Sequence, residues 1–391
     1  MKALISLNAG SSSIKFALYA LAGDLRLEAH GQIEKIGIAP RLTVSDPLGK
    51  TLFRRDLGDG SLSHEAVLGG LLDWAMSHLD GRELIAVGHR VVHGGTQFYE
   101  PCLVTGPVLA ALAGLNGLAP LHQPHNLAAI GAMIALRPDL PQIACFDTAF
   151  HHTMPETHRR FALPLALHDE GLRRYGFHGL SYEFIARQLR ELDPKLAEGR
   201  VIAAHLGNGA SLCAMHAVQS VDTSMGFSAL DGLVMGTRCG TLDAGAVLHL
   251  LLQKGMSAQA VQDLLYRQSG LLGVSGLSSD MRELEVSDAP SAREAIELFA
   301  WRAAREAGAL IISLGGLDGL VFTAGIGEHD APMRARICAY LGWLGLAIDP
   351  QANAAHAPVI STPGSTICVR IIPTDEERMI ALHTLSLLQA A

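Results

Sequence analysis

The sequence lacks the signatures of several large enzyme classes. No G-x-x-x-x-G-K-[ST] occurs: Gly49-Lys50-Thr51 supplies its end, but Val44 stands where the first glycine is needed. No G-x-G-x-x-G follows a strand pattern and no G-x-S-x-G elbow is present. P-loop, dinucleotide-binding and α/β-hydrolase chemistry are therefore disfavoured. The cysteines Cys102, Cys145, Cys213, Cys239, Cys338 and Cys368 lie far apart, without a C-x-x-C pair, and read as buried thiols. Histidines are plentiful, but no H-E-x-x-H or paired zinc spacing organises them. Basic residues are outnumbered, 30 Lys and Arg against 38 Asp and Glu, so a nucleic-acid partner is not expected. No apolar run is long enough for a membrane helix. The opening MKALISLNAG has one Lys and only a short apolar core, so no secretory signal is expected and the chain reads as cytoplasmic.

What remains is a chain of 391 residues, 49% apolar and 17% charged, which predicts two domains with substantial cores. Its 41 glycines cluster beside Ser, Thr, Asn and Asp, the pattern of tight turns that bring backbone close to a ligand. Strand, turn and strand are predicted for Ala3–Leu7, Asn8–Ser13 and Ile14–Tyr19, and again for Val201–Leu206, Gly207–Ala210 and Ser211–Met215. Two such hairpins half a chain apart point to two related halves. Helices are predicted over Ser63–Leu79, Val108–Leu115, His125–Leu136, Ser181–Leu192, Ala244–Lys254, Ala258–Gln268, Ser291–Leu314 and Glu376–Leu388. A buried strand, Leu320–Thr323, leads into the turn Ala324–Gly327. Strands alternating with helices define an α/β protein.

Polar segments punctuate this frame. Asn8-Ala-Gly-Ser-Ser-Ser-Ile-Lys15 offers backbone N–H groups, hydroxyls and an ammonium, which suit phosphate oxygens. His205-Leu-Gly-Asn-Gly209 and Gly325-Ile-Gly-Glu-His329 are two more glycine cradles. Each alone fits an ordinary glycine turn, and together they favour a nucleotide. Arg90 and Arg238 sit beside glycines, where either a structural ion pair or a bidentate clamp on carboxylate and phosphoryl oxygens is open to them. The clamp is favoured because glycine neighbours give a salt bridge little packing. Asp147 follows a strand, at the edge where α/β sites gather. His178, in Tyr175-Gly-Phe-His-Gly179, suits a structural role as well as a catalytic one.

The segments NAGSSSIKF, GHRVVHGG, FDTAFH, RRYGFHGLSYEFIA, HLGNGASL, DTSMGFSALDGLVMGTRCG, FTAGIGEHDAPMRARI and PTDEERMIA, in this order, resemble the acetate kinases. The resemblance spans nearly the whole chain. It implies the actin-like ATPase (ribonuclease H-like) fold: two related domains with a cleft between them, in a homodimer. The domains would be 1–149 completed by about 376–391, and a nucleotide-binding domain of about 150–375. It implies ATP and acetate as substrates, with Mg2+ as cofactor and Mn2+ as its substitute.

By motif, Asn8 and Glu376 are similar to the metal-associated residues. Ser11, Ser13 and Lys15 resemble ATP contacts of the opening turn. His205, Leu206, Gly207, Asn208 and Gly209 match a nucleotide loop, as do Asp280, Met281 and Arg282, and Gly325, Ile326, Gly327, Glu328 and His329. Arg90 resembles the carboxylate-binding arginine, with Val92, Leu121 and Phe177 lining the acyl pocket. Asp147, His178, Arg238 and His122 resemble the catalytic set, and Asp147 is expected to orient Arg238, a metal-bound water or the phosphoryl group. The sequence departs from the family pattern at His329 and Asp375, where Asn is usual, and at Ala229, where many members carry Pro. The last departure leaves propionate or butyrate as alternative acids. A non-catalytic ATP-binding protein of the same superfamily is the alternative from outside the enzymes.

Overall fold

The computed structural model describes residues 2–10, 12–58, 62, 64–79 and 81–390. Ser11 lies outside the described residues. The chain divides into two compact units, one of Met1–Ala149 with Asp375–Ala391, the other of Phe150–Thr374.

The first unit is built on a sheet of β1 (Lys2–Ala9), β2 (Ile14–Ala22), β3 (Asp24–Glu34), β4 (Arg41–Ser45), β5 (Thr51–Asp56), β6 (Glu83–Val91), β7 (Cys102–Leu103) and β8 (Gln142–Phe146). β1 to β5 form an antiparallel meander, whereas β6 and β8 run parallel to β1 in the order β1-β6-β8. The strands alternate faces. Ala3, Ile5 and Leu7 share one core with Val67, Leu71 and Trp74 of helix His64–His78 and with Met133 of helix Gln123–Leu136. Leu4, Ala17 and Tyr19 turn to the other face, where Ala381 of the closing helix Glu376–Ala390 joins them. A glycine at position 88 makes that approach possible: a Cβ there would stand 2.2 Å from Thr384 Oγ1 and 2.6 Å from Ile380 Cγ2.

The second unit repeats the plan. β9 (Arg200–Leu206), β10 (Ala210–His216) and β11 (Gln219–Thr223) form an antiparallel meander, with β12 (Gly319–Thr323) and β13 (Cys368–Ile371) parallel beyond β9. Helices Gly179–Leu192 and Pro290–Leu314 are its main cover.

Most predicted helices form with small shifts at their ends. The helix predicted from Val108 starts at Gly106, because Thr105 accepts the Val108 amide as its cap and Pro107 suits the first turn. The helix predicted from Ser63 runs His64–His78, and Ser63 lies outside the described residues. Two segments read as loops are short helices: Met281–Glu285, capped by Asp280, and Ala324–His329. All six cysteines are free, and Cys145, Cys213 and Cys338 are buried; Cys102, Cys239 and Cys368 are only half-buried. Among the described residues no helix is long and apolar enough to cross a membrane.

Candidate active site

In the first unit the parallel register carries three polar side chains to one edge. Leu7 pairs with His89, and Arg90 with Cys145, so Asn8, Arg90 and Asp147 emerge together at the carboxyl ends of β1, β6 and β8. Arg90 Nε donates to Asp147 Oδ1 and Oδ2 at 3.1 and 2.9 Å, and its Nη2 donates to Oδ2 at 2.5 Å. Its Nη1 donates to Asn8 Oδ1 at 3.1 Å. Glu376, in the first turn of the closing helix, accepts from Asn8 Nδ2 at 3.4 Å and stands 3.8 Å from Arg90 Nε. The expectation that glycine neighbours would keep Arg90 out of an ion pair is therefore wrong. The strand ends supply the partner that the local sequence lacks. Asp147 correspondingly spends both oxygens on Arg90, a partnership not expected from the sequence.

Burial pushes the Asp147 carboxyl up to about 6, against the pull of Arg90 and with help from Glu376. Burial opposes charge on Arg90 too, but Asp147 and Glu376 outweigh it and hold the guanidinium above its ordinary range. The arginine is thus a fixed cation.

Helix Gln123–Leu136 frames this cluster. Asn126 accepts the Val92 amide at 3.0 Å and donates to Ala9 O at 2.6 Å, tying the ends of β1 and β6 together. Gln123 accepts the His93 amide and returns a bond to its carbonyl, at 3.1 and 3.0 Å. Val92 is buried; Leu121 is half-buried, and His122 sits at the start of the helix without its side chain capping it. Ser13 closes the opening turn through its carbonyl, which accepts the Gly10 amide at 2.8 Å. Lys15 pairs with Asn8 across the β1–β2 ladder and is exposed, lining a cleft of about 440 Å³ with Tyr19, His30, Asp375 and Glu377. Asp375 accepts the Arg378 amide at 2.8 Å, a helix-capping task that Asn performs equally well, so this departure preserves local structure.

In the second unit the nucleotide-loop candidates meet. Gly207, Asn208, Asp280, Met281, Arg282, Gly325, Ile326 and His329 line one cleft of about 730 Å³. Leu206 is buried in β9, and Gly327 is buried in the short helix. Glu328 turns its carboxylate to the backbone, accepting from Ala324 N at 2.8 Å and Thr374 N at 3.1 Å. Asp280 pairs with Arg282 at 2.6 Å.

His178 and Arg238 converge beside the same hairpin. A Cβ on Gly209 would lie 2.8 Å from Arg238 Nη2 and 3.3 Å from His178 Nε2, so only glycine leaves both room. Arg238 Nη1 donates to Ala229 O at 2.6 Å, which makes the position of the family's proline a support for the guanidinium. His178 holds a left-handed backbone, φ +58°, ahead of helix Gly179–Leu192, a costly conformation that its surroundings must impose. Its ring lies flat on His205, centroids 4.1 Å apart.

Several supporting residues carried no assignment from the sequence. His151 Nε2 donates to the carbonyl of Phe177, at 2.9 Å, and its Nδ1 accepts from Ser220 Oγ at the same distance. Burial pushes its pKa down to about 4, so it braces the Phe177–His178 turn as a neutral ring. Phe177 is buried. Ser181, Tyr182 and Ser211 lie in the same motif segments, with no role that the sequence alone assigns.

The model of the acetokinase family matches residues 3–382. An acetate kinase of Rhodopseudomonas palustris (strain CGA009) is 54% identical over 386 residues, 97% of each chain, and one of Methylocella silvestris is 50% identical over 99% of this chain and 98% of its own. Among solved structures, a propionate kinase of Francisella tularensis superposes with a TM-score of 0.92 at 36% identity, covering 98% of this chain and 99% of that one. The Porphyromonas gingivalis acetate kinase superposes at 0.87 with 35% identity, covering 99% and 100%. The fold is that of these kinases, the actin-like ATPase type. On sequence over nearly its full length and on fold, the chain belongs to the acetokinase family.

Proposed function

We propose that the chain transfers the γ-phosphoryl group of ATP to acetate, reversibly, giving acetyl phosphate and ADP by direct in-line transfer. The observation that carries this reading is the convergence of Arg238 Nη2 and His178 Nε2 on Gly209. The same turn contributes Gly207 and Asn208 to the cleft that takes the nucleotide.

Acetate is ionised at neutral pH, since carboxylic acids titrate near 4, so no base is needed to make the nucleophile. The difficulty is repulsion between two anions. Arg90, a fixed cation, binds the carboxylate, and Arg238 with His178 meets charge developing on the phosphoryl oxygens. Asp147 acts as a positioning residue that aims Arg90. Val92, Leu121 and Phe177 are the residues proposed to receive the acyl chain, and His122 is proposed to act in catalysis.

Among the described residues no three His, Cys, Asp or Glu side chains gather to enclose a metal. Asn8 Oδ1 and Glu376 Oε2 are oxygen donors of the kind Mg2+ or Mn2+ takes; both face the Arg90 guanidinium, so an ion held there would have to share them with that cation. Mg2+ is typically held by one or two protein oxygens, with water and phosphate completing its octahedron. Bound there, the ion would neutralise phosphate charge and orient the polyphosphate.

A homodimer is the proposed assembly. Helix Ala244–Leu252, AGAVLHLLL, is strongly apolar yet has no buried residue in the single chain, and Leu252 is 72% exposed.

Propionate is the second reading, favoured by Ala229 and by the likeness to a propionate kinase. One methylene alters binding by only about 1–3 kcal/mol, so the two acids must be compared directly. Acyl phosphate trapped as hydroxamate, with kcat/KM compared for acetate, propionate and butyrate, tests both readings. No hydroxamate from any of the three would refute them together.

A further inference from the structure

His178 is held by side chains that none of its motif roles includes. Its Nδ1 meets Ser211 Oγ at 2.8 Å, and Ser211 Oγ meets the Tyr182 hydroxyl at 2.5 Å. Ser211 and Tyr182 are both buried.

Relative acidity gives this chain a direction. A phenol is the stronger acid and the poorer acceptor of the two hydroxyls, so the Tyr182 proton goes to Ser211 Oγ. Ser211 already receives that proton and sends its own to His178 Nδ1. An Nδ1 that accepts leaves the ring proton on Nε2, the atom beside Arg238 Nη2 over Gly209. Charge argues the same way. His178 lies 4.1 Å from the parallel ring of His205 and beside a guanidinium, where an imidazolium would be repelled.

We propose that Ser211 and Tyr182 are positioning residues that fix His178 as the neutral Nε2–H tautomer, a directed hydrogen-bond donor to the transferring phosphoryl group. The inference rests on the phosphoryl-transfer reading for its consequence, but not for its geometry. Without the relay the ring is free to turn its lone pair toward the phosphoryl oxygens, which would repel where it should attract.

The test uses the full chain with 15N-labelled histidine, the His178 resonances being assigned by their loss in His178→Gln. At neutral pH the wild-type ring is expected as the Nε2–H tautomer. Ser211→Ala is expected to give mixed tautomers and to lower kcat roughly ten-fold, the scale of one neutral hydrogen bond, with KM for ATP and acetate within about two-fold. Ser211→Thr, which keeps the hydroxyl, is expected to restore both. Tyr182→Phe, which keeps the ring, should shift the tautomers part of the way and stands in if Ser211→Ala does not fold. An Nδ1–H or charged His178 in the wild type overturns the proposal. So does a fall in kcat with no change of tautomer, or a change of tautomer that leaves kcat intact. If the wild type makes no acyl phosphate, the proposed function falls while the tautomer measurement still decides the relay.

Discussion

Arg90 reaches one oxygen of Asp147 twice, through Nε at 2.9 Å and Nη2 at 2.5 Å, and the carboxylate is almost wholly buried. Removing either member strands the other's charge, so the two substitutions will not be additive. In a double-mutant cycle of Arg90→Ala and Asp147→Ala, followed by urea denaturation, a coupling of about 0.5–3 kcal/mol is expected. Additive losses would show that the pair is incidental.

Arg238 should behave differently from Arg90. Its Nη1 donates to the Ala229 carbonyl, and its Nη2 faces Gly209. Arg238→Ala is expected to lower kcat by about 10³ or more, the usual worth of a phosphoryl-stabilising arginine. Arg90→Ala should raise KM for acetate as well. Steady-state kinetics giving small, equal effects for both would contradict the division of labour.

Burial drives the pKa of His89 down to about 4. Its ring donates to Gln142 Oε1 at 2.7 Å, and Gln142 is oriented by its own bond to Leu140 O. A lowered histidine pKa means that the unfolded chain takes a proton which the native chain refuses. Stability contributed by neutral His89 is full above about 6.5 and is lost as pH falls toward 4, by about 1.4 kcal/mol per pH unit. His89→Gln keeps an N–H donor without the titration, so its acid denaturation curve should be shallower by one proton. An unchanged slope would refute this.

Arg334 is completely buried, donating from Nη1 to the carbonyls of Gly327 and Glu328 at 2.9 and 3.0 Å, and from Nε and Nη2 to Asn353 at 2.8 Å each. It closes the end of the short helix whose Gly325 and Ile326 line the cleft proposed for the nucleotide. Arg334→Leu leaves those carbonyls unpaired, for a loss of about 3–5 kcal/mol in denaturation and a higher KM for ATP. Loss of stability with unchanged KM would separate the helix from nucleotide binding.

Leu248, 54% exposed on the unburied helix Ala244–Leu252, is the place to probe assembly. Leu248→Glu should halve the mass seen by sedimentation equilibrium at micromolar concentration without unfolding the chain. A wild-type monomer would end the homodimer reading.

Much of this was legible in the sequence because it is local. The two hairpins, the long helix to Leu314 with Gly315 at φ +69° behind it, and the glycine-rich site segments depend on neighbours in the chain. What was illegible depends on distance. Arg90 meets Asp147 across 57 positions once strands align, and Tyr182 meets Ser211 across 29 once a helix packs on a strand. The helix Ala324–His329 reads as a turn because six residues with two glycines cannot hold a helix alone. Glu328 at its start and Arg334 at its end supply what propensity does not.

Glu376 belongs to a helix that completes a sheet begun at Lys2, yet all of Phe150–Thr374 is translated in between. Domains usually mature in the order in which the ribosome delivers them. Here the contiguous later unit has every one of its residues before the earlier unit has its last. During synthesis, β1, β6 and β8 must wait with one face open until the closing helix emerges. Order of appearance and order of completion are reversed, and the cluster at Asn8, Arg90 and Asp147 is finished last.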